Sequence, residues 1–160
     1  MIETRLTIDT PDDMEALGAA IARRLGAGDL VLLNGELGAG KTTLTRGLGA
    51  ELGVRGAVTS PTFVLARTHP RADGLPPLVH VDAYRLGSAA ELDDLGLDFA
   101  ASIVVVEWGA GMLDADEFLQ VDIERPHGGD PLAEEEPRTV TITGHGEKWD
   151  RLDWLDAARD

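Results

Sequence analysis

The chain is 160 residues long and 43% hydrophobic, enough for about one globular domain with a sizeable core. It contains no cysteine, which excludes disulfides, thiolate catalysis and cysteine-ligated metals, and no apolar run approaches the roughly 20 residues of a membrane-spanning helix. The net charge is −15, and 20 of the 29 acidic residues lie from Asp82 onward against six lysines and arginines, a surface that repels phosphate backbones and argues against independent nucleic-acid binding.

Taken in order, Met1-Ile2-Glu3-Thr4-Arg5 lacks the basic start and apolar core of a signal peptide, and a soluble cytoplasmic protein is the simplest expectation. Arg5-Leu6-Thr7-Ile8-Asp9 alternates weakly, as an edge strand does. Thr10-Pro11-Asp12-Asp13 reads as a helix start, with Thr as N-cap, Pro at the first helical position and acids in the first turn. Met14, Leu17, Ile21 and Leu25 then recur at spacings of three and four, which predicts an amphipathic helix ended by Gly26. Leu30-Val31-Leu32-Leu33 is an apolar run suited to a buried parallel strand.

That strand leads into Gly35-Glu36-Leu37-Gly38-Ala39-Gly40-Lys41-Thr42, which fits the phosphate-loop pattern of Gly, four residues, then Gly-Lys-Ser/Thr at every fixed position. Lys41 to Leu52 has helical composition, and Gly53 stands where a C-cap glycine would. Strand, glycine loop and helix together let backbone N–H groups curl around phosphate oxygens at a helix N-terminus. The expected nucleotide-binding set is Glu36, Leu37, Gly38, Ala39, Gly40, Lys41, Thr42 and Thr43. Within it Lys41 reaches the β- and γ-phosphates and the Thr42 hydroxyl ligates Mg²⁺. The ligand read from this stretch is a nucleoside triphosphate.

Beyond Gly53, the polar Thr59-Ser60-Pro61-Thr62 has two readings. One is a switch-like loop whose Ser60 and Thr62 hydroxyls face the γ-phosphate; the other is an ordinary turn before a strand at 63–68. Residues 69–77 hold three prolines and a glycine and read as an exposed loop. Leu78-Val79-His80-Val81-Asp82 is a short buried-type strand ending in a carboxylate, with His80 read as a packed core histidine rather than a ligand. Ser88-Ala89-Ala90-Glu91 is a capping box that starts a short helix to about Leu95. Ser102-Ile103-Val104-Val105-Val106-Glu107 is the most apolar strand and also ends in a carboxylate. The stretches 118–124 and 138–143 alternate, as strands with one solvated face do. Between them, residues 125–137 hold three prolines, two glycines and Glu134-Glu135-Glu136, a mobile loop whose acids serve solvation. Trp149, Leu152, Trp154, Leu155 and Ala158 predict a C-terminal helix over about 148–158. The expectation is one domain over 1–160 with an α/β fold. It is a P-loop NTPase-like three-layer sandwich with a mostly parallel central sheet and an antiparallel C-terminal hairpin.

A phosphate loop needs a second Mg²⁺ anchor and a group that positions the attacking atom. In open α/β sheets, ligands bind beyond the carboxyl ends of the strands. If the strands ending at Asp82 and Glu107 run parallel to 30–34, both carboxylates converge on the edge that holds the triphosphate. Each also reads as a simple solvated strand end.

The segments Gly35-Glu36-Leu37-Gly38-Ala39-Gly40-Lys41-Thr42-Thr43, Ser60-Pro61-Thr62-Phe63, His80-Val81-Asp82-Ala83-Tyr84-Arg85 and Val106-Glu107-Trp108, in this order, closely resemble the TsaE (YjeE) family. These are small bacterial ATPases required for the threonylcarbamoyladenosine modification at tRNA position 37, and the resemblance covers about residues 5–145. It implies that Lys41 binds phosphate and takes part in catalysis, that Thr42 and Glu107 ligate Mg²⁺, and that Asp82 is the essential acid near the metal and the attacking water. It implies a switch-like role for Ser60-Pro61-Thr62-Phe63, adenine contacts around Thr7 to Pro11 and, more weakly, a nucleotide contact at Arg138. It further implies that the protein works with a TsaD–TsaB pair that carries the transferase and tRNA-binding work, so that tRNA is reached only indirectly. Here Trp108 is followed by Gly109-Ala110-Gly111, where many members carry an acid or proline, and the acidic insert at 125–137 is not a family motif.

Three other readings of the loop are weighed. A small-molecule kinase usually carries a lid that supplies arginines, and the one insert here has one Arg against four acids. A GTPase would carry an Asn-Lys-x-Asp signature, which is absent. A non-hydrolysing nucleotide-dependent binding module would have little use for both Asp82 and Glu107.

Overall fold

A computed structural model of the chain describes residues 2–35, 40–54, 66–71, 74–82, 99–107, 117–124 and 137–155. Among them are strands β1 (Ile2–Ile8), β2 (Leu30–Gly35), β3 (Ala66–His69), β4 (Leu78–Asp82), β5 (Ile103–Glu107), β6 (Phe118–Glu124) and β7 (Arg138–His145). Two α-helices, α1 (Pro11–Ala22) and α2 (Lys41–Leu52), and single 3₁₀ turns at Phe99–Ala101, Glu147–Trp149 and Asp153–Leu155 complete them.

The seven strands form one sheet in the order β1-β7-β6-β2-β5-β4-β3. The central block β6-β2-β5-β4 is parallel throughout. The outer pairings, β1 with β7, β7 with β6 and β3 with β4, are antiparallel. The α/β architecture, the parallel centre and the antiparallel hairpin near the C-terminus are as the sequence reads, and β1 is an edge strand. Its weak alternation has a cause: Leu6 and Ile8 are buried while Glu3, Arg5 and Thr7 are exposed.

One core cluster gathers Met14, Leu17 and Ile21 of α1, Leu44, Leu48 and Leu52 of α2, and Val31, Leu33, Val105, Val121 and Ile142 of the sheet. The alternate residues of the central strands, Leu32, Val79, Val81, Val104 and Val106, point to the other face and are buried too. Burial on both faces is why these strands read as unbroken apolar runs.

Thr10 caps α1 as expected, its side-chain oxygen accepting the Asp13 N–H at 3.1 Å. The helix stops at Ala22 rather than running on to Gly26. The N–H groups of Arg24 and Leu25 bond three residues back, to Ile21 and Ala22, so the last turn tightens out of the α geometry while Leu25 still reaches the core. The two helices cross in backbone contact. A Cβ on Gly18 would stand 2.0 Å from the Leu44 carbonyl oxygen, and one on Gly47 would stand 2.1 Å from that of Glu15. At its far end α2 closes on Gly53 in the left-handed conformation, and the Arg71 Nε donates to the Leu52 carbonyl at 2.8 Å.

The continuous helix expected from about 148 is corrected. Residues 147–155 form two separate 3₁₀ turns, and 156–160 lie outside the described residues. Trp149, Leu152 and Leu155 are all buried, at spacings of three. Three residues advance an α-helix by only about 300°, so that spacing drifts off a single face, whereas short 3₁₀ turns return each side chain to the core.

The helix expected at 88–95, the loop at 59–62 with Ser60 and Thr62, and the acidic stretch 125–136 also lie outside the described residues. Of the strand expected at 63–68, the described part is β3. No described helix is long and apolar enough to cross a membrane.

Candidate functional site

The sheet order positions the site. The chain passes from β2 through α2 to β3 and β4 on one side, returns to β5 beside β2, then crosses to β6 on the other side of β2. β2 is therefore at a topological switch point, where the carboxyl ends of parallel strands open a crevice. The glycine loop leaves from that end, and Lys41 is the first residue of α2.

Register brings the two carboxylates together. Glu107 is the partner of Leu33 on one side and of Asp82 on the other, so Asp82 and Glu107 lie side by side on the same face of adjacent strands. They are not solvated strand ends: Asp82 is 3% exposed, Glu107 4% and Lys41 7%. Burial pushes the Lys41 pKa below its ordinary 10.5, and the carboxylates of Glu107 and then Asp82 oppose that shift. The Lys41 ammonium donates to the Gly35 carbonyl at 2.8 Å, across the mouth of the loop. The Thr45 hydroxyl, buried one turn further along α2, donates to the Lys41 carbonyl at 2.8 Å.

Gly40, the N-cap of α2, has φ 120°, a conformation side-chain-bearing residues rarely adopt. The side chain of Met14 packs against it, so the first turns of α1 and α2 meet beside the loop. Thr42 and Thr43 are half-buried in the first turn of α2. Glu36, Leu37, Gly38, Ala39, Ser60 and Thr62 lie outside the described residues.

The segments that the resemblance places near adenine are also brought together. Ile8 pairs with Arg138 and Thr7 with Thr139, and Pro11 opens α1 three residues before Met14.

Two features escaped the sequence reading. Asn34, the residue before Gly35, donates from its amide to Asp122 Oδ1 at 2.9 Å, and Gln120 donates to Asp122 Oδ2 at 3.0 Å. Gln120 and Asp122 sit on the half-buried positions of an alternating strand, where one polar residue looks like another. The second is His80, which is 0% exposed as a core histidine should be, yet places its Nε2 3.6 Å from Glu107 Oε2. Among the described residues, neither of its ring nitrogens has a hydrogen-bond partner.

The donor set suits Mg²⁺. It offers hard oxygens, from the carboxylates of Glu107 and Asp82 and the hydroxyl of Thr42 at the start of α2. Among the described residues no cluster of three or more His, Cys, Asp and Glu forms a protein cage. Mg²⁺ is commonly held by one or two carboxylates together with phosphate oxygens and water, and the buried pair fits that role.

Comparisons with known proteins agree with this architecture. The family model described as "Threonylcarbamoyl adenosine biosynthesis protein TsaE" matches residues 8–130. A TsaE of Streptomyces coelicolor is 56% identical over 145 residues, covering 88% of this chain and 96% of the relative. A TsaE of Bacillus subtilis is 35% identical over 148 residues, covering 89% and 86%. The crystal structure of Bacillus YdiB superposes with a TM-score of 0.70 at 29% identity, covering 99% of this chain and 96% of that one. With the family match over most of its length and a P-loop-like site at the switch point of its sheet, this chain belongs to the TsaE family.

Proposed function

We propose that this chain is a Mg²⁺-dependent ATPase that binds ATP at Glu36 to Thr43 and drives a TsaD–TsaB-like transferase pair through cycles of tRNA threonylcarbamoyladenosine formation. The observation that carries the reading is the juxtaposition of Lys41, Asp82 and Glu107, three buried charges at one sheet edge beside the phosphate loop. Burying three ionisable groups is costly without a compensating role, and such clusters concentrate at functional sites.

In this reading the loop amides and Lys41 hold the β- and γ-phosphates. Phosphate takes up the ammonium hydrogen bonding now directed at the Gly35 carbonyl. Thr42 and Glu107 would hold Mg²⁺, which would neutralise charge on the phosphates. Asp82, beside Glu107 and almost fully enclosed, accepts a hydrogen bond from the attacking water and aims its oxygen at the γ-phosphorus. Ser60 and Thr62 act as the switch-like contact to the γ-phosphate. No arginine finger is evident among the described residues, and turnover is slow until a partner completes the site. The acidic surface supports a protein that leaves tRNA to its partners.

ATP hydrolysis measured with and without a purified TsaD–TsaB pair tests the reading. Stimulation by the pair, ATP-dependent complex formation and loss of nucleotide binding in Lys41→Ala are expected. ATP binding with no complex formation sinks the partner assignment. Phosphoryl transfer to a small molecule in preference to water would establish the kinase instead.

A further inference from the structure

We infer that His80 is a positioning residue for Glu107: its Nε2–H, which stands 3.6 Å from one carboxylate oxygen, closes on that oxygen when the other is presented to the divalent cation. The inference rests on the ATPase reading above and goes beyond it by assigning a role to a residue that reading does not use.

His80 lies on β4 one pleat behind Asp82, with Val105 of β5 as its parallel partner and Arg67 of β3 opposite it. Two residues along each strand toward the site stand Asp82 and Glu107. The imidazole is completely buried, and both its nitrogens lack hydrogen-bond partners among the described residues. A buried unsatisfied imidazole destabilises a fold, and an apolar residue would fill the same place in an otherwise Val-rich strand more cheaply. What it faces is a carboxylate: Nε2 stands 3.6 Å from Glu107 Oε2. At that separation a lone pair on Nε2 would repel the carboxylate, so the hydrogen belongs on Nε2 and points at Oε2.

Metal-ligating carboxylates are commonly fixed by hydrogen bonds from behind, and loss of such support weakens metal binding. His80 is the described imidazole placed to give it. His69, also buried with an unpartnered Nε2, pairs with Leu78 further down the strand, away from the edge. A carboxylate that hydrogen-bonds behind itself has one free oxygen, which suits Mg²⁺ because that ion takes protein oxygens singly and keeps water and phosphate in its other positions.

The test compares His80→Gln with His80→Met in the full chain. The two side chains are similar in length, but only glutamine carries an N–H donor near the position of the imidazole Nε2. Binding of Mn²⁺, used in place of Mg²⁺, to the ADP-loaded proteins is followed by electron paramagnetic resonance. ADP affinity in EDTA and thermal unfolding are measured in parallel. His80→Met is expected to weaken Mn²⁺ binding by about ten- to a hundredfold, whereas His80→Gln stays within about threefold of the parent. ADP affinity in EDTA is expected to be unchanged in both, and the His80→Met protein to melt no lower than His80→Gln. Equal Mn²⁺ affinities for the Gln and Met variants overturn the inference, whether both resemble the parent or both are weakened. Should the methionine variant fail to fold, His80→Leu takes its place in the same comparison. If the parent itself binds ADP but no Mn²⁺, the metal site falls and the inference with it. If the parent binds Mn²⁺ and only the Gln–Met difference is missing, the ATPase reading stands and the inference alone fails.

Discussion

The two halves of the sheet treat polar residues in opposite ways. In β1 and β6, and in β7 as far as Ile142, burial alternates, and the polar positions, such as Glu3, Arg5, Asp122 and Glu124, fall on residues that reach solvent wholly or in part, with Thr143 the buried exception. In β4 and β5 every residue is buried, including His80, Asp82 and Glu107. Alternation costs nothing, because each polar group keeps its water. A fully buried strand ending in a carboxylate is expensive, and among the described strands the expense falls at the edge beside the phosphate loop. On the proposed reading, polar residues on the β1-β7-β6 side belong to the fold, and those buried in β4 and β5 to the chemistry.

The largest effect expected from this contrast comes from Asp82→Asn. The substitution keeps the shape and removes one of two adjacent buried negative charges. Hydrolysis, stimulated by partners or not, should fall by roughly 10²- to 10⁴-fold, the usual weight of a positioned acid–base group, while ATP binding persists. Thermal stability should change little, since relief of the repulsion with Glu107 is offset by the lost attraction to the buried Lys41. Undiminished turnover would remove Asp82 from the mechanism. A clear loss of stability would mean that its buried charge belongs to the fold, which breaks the contrast.

A smaller effect tests how α2 is held over the parallel half. Replacing a helix-interior glycine by alanine normally gains about 1 kcal/mol of helix propensity. At Gly18 the new methyl would meet the Leu44 carbonyl oxygen at 2.0 Å, a backbone atom that cannot rotate aside. Overpacking of this kind costs about 1–3 kcal/mol, so the crossing wins and Gly18→Ala should lower stability in chemical denaturation. Leu44 is one turn from Lys41, so ATP affinity should weaken as well. A more stable Gly18→Ala protein would show that the helices do not cross in contact.

Gly18 also marks where the sequence stopped being legible. The start of α2 at Lys41, the Thr10 cap and the apolar runs of β2, β4 and β5 are local signals, and each stands where the sequence puts it. The convergence of Asp82 and Glu107 could be stated only on the condition that their strands run parallel, because pairing direction is not written in either strand alone. Gly18 and Gly47 sit inside helical patterns as weak formers, and only the crossing explains them. The spacing of Trp149, Leu152 and Leu155 fits a helix or a string of 3₁₀ turns until the shape of the core decides. His80 is read correctly as buried, but its distance from Glu107 depends on register between β4 and β5.

The smallest effect belongs to the β1-β7-β6 side. Asp122 accepts one hydrogen bond from Asn34 and another from Gln120 while remaining half-exposed. Its carboxylate keeps contact with water, so little desolvation was incurred and little is recovered on its removal. Asp122→Ala forfeits two amide hydrogen bonds whose donors can turn to solvent, a loss of about 1 kcal/mol in denaturant unfolding. Because Asn34 directly precedes Gly35, the same variant shows whether this clamp matters to the loop. On the division drawn above it does not, and ATP turnover should stay within about twofold of the parent. A loss of turnover comparable to that of Asp82→Asn would place a functional carboxylate on an alternating, solvated strand, and the division between the two halves would no longer hold.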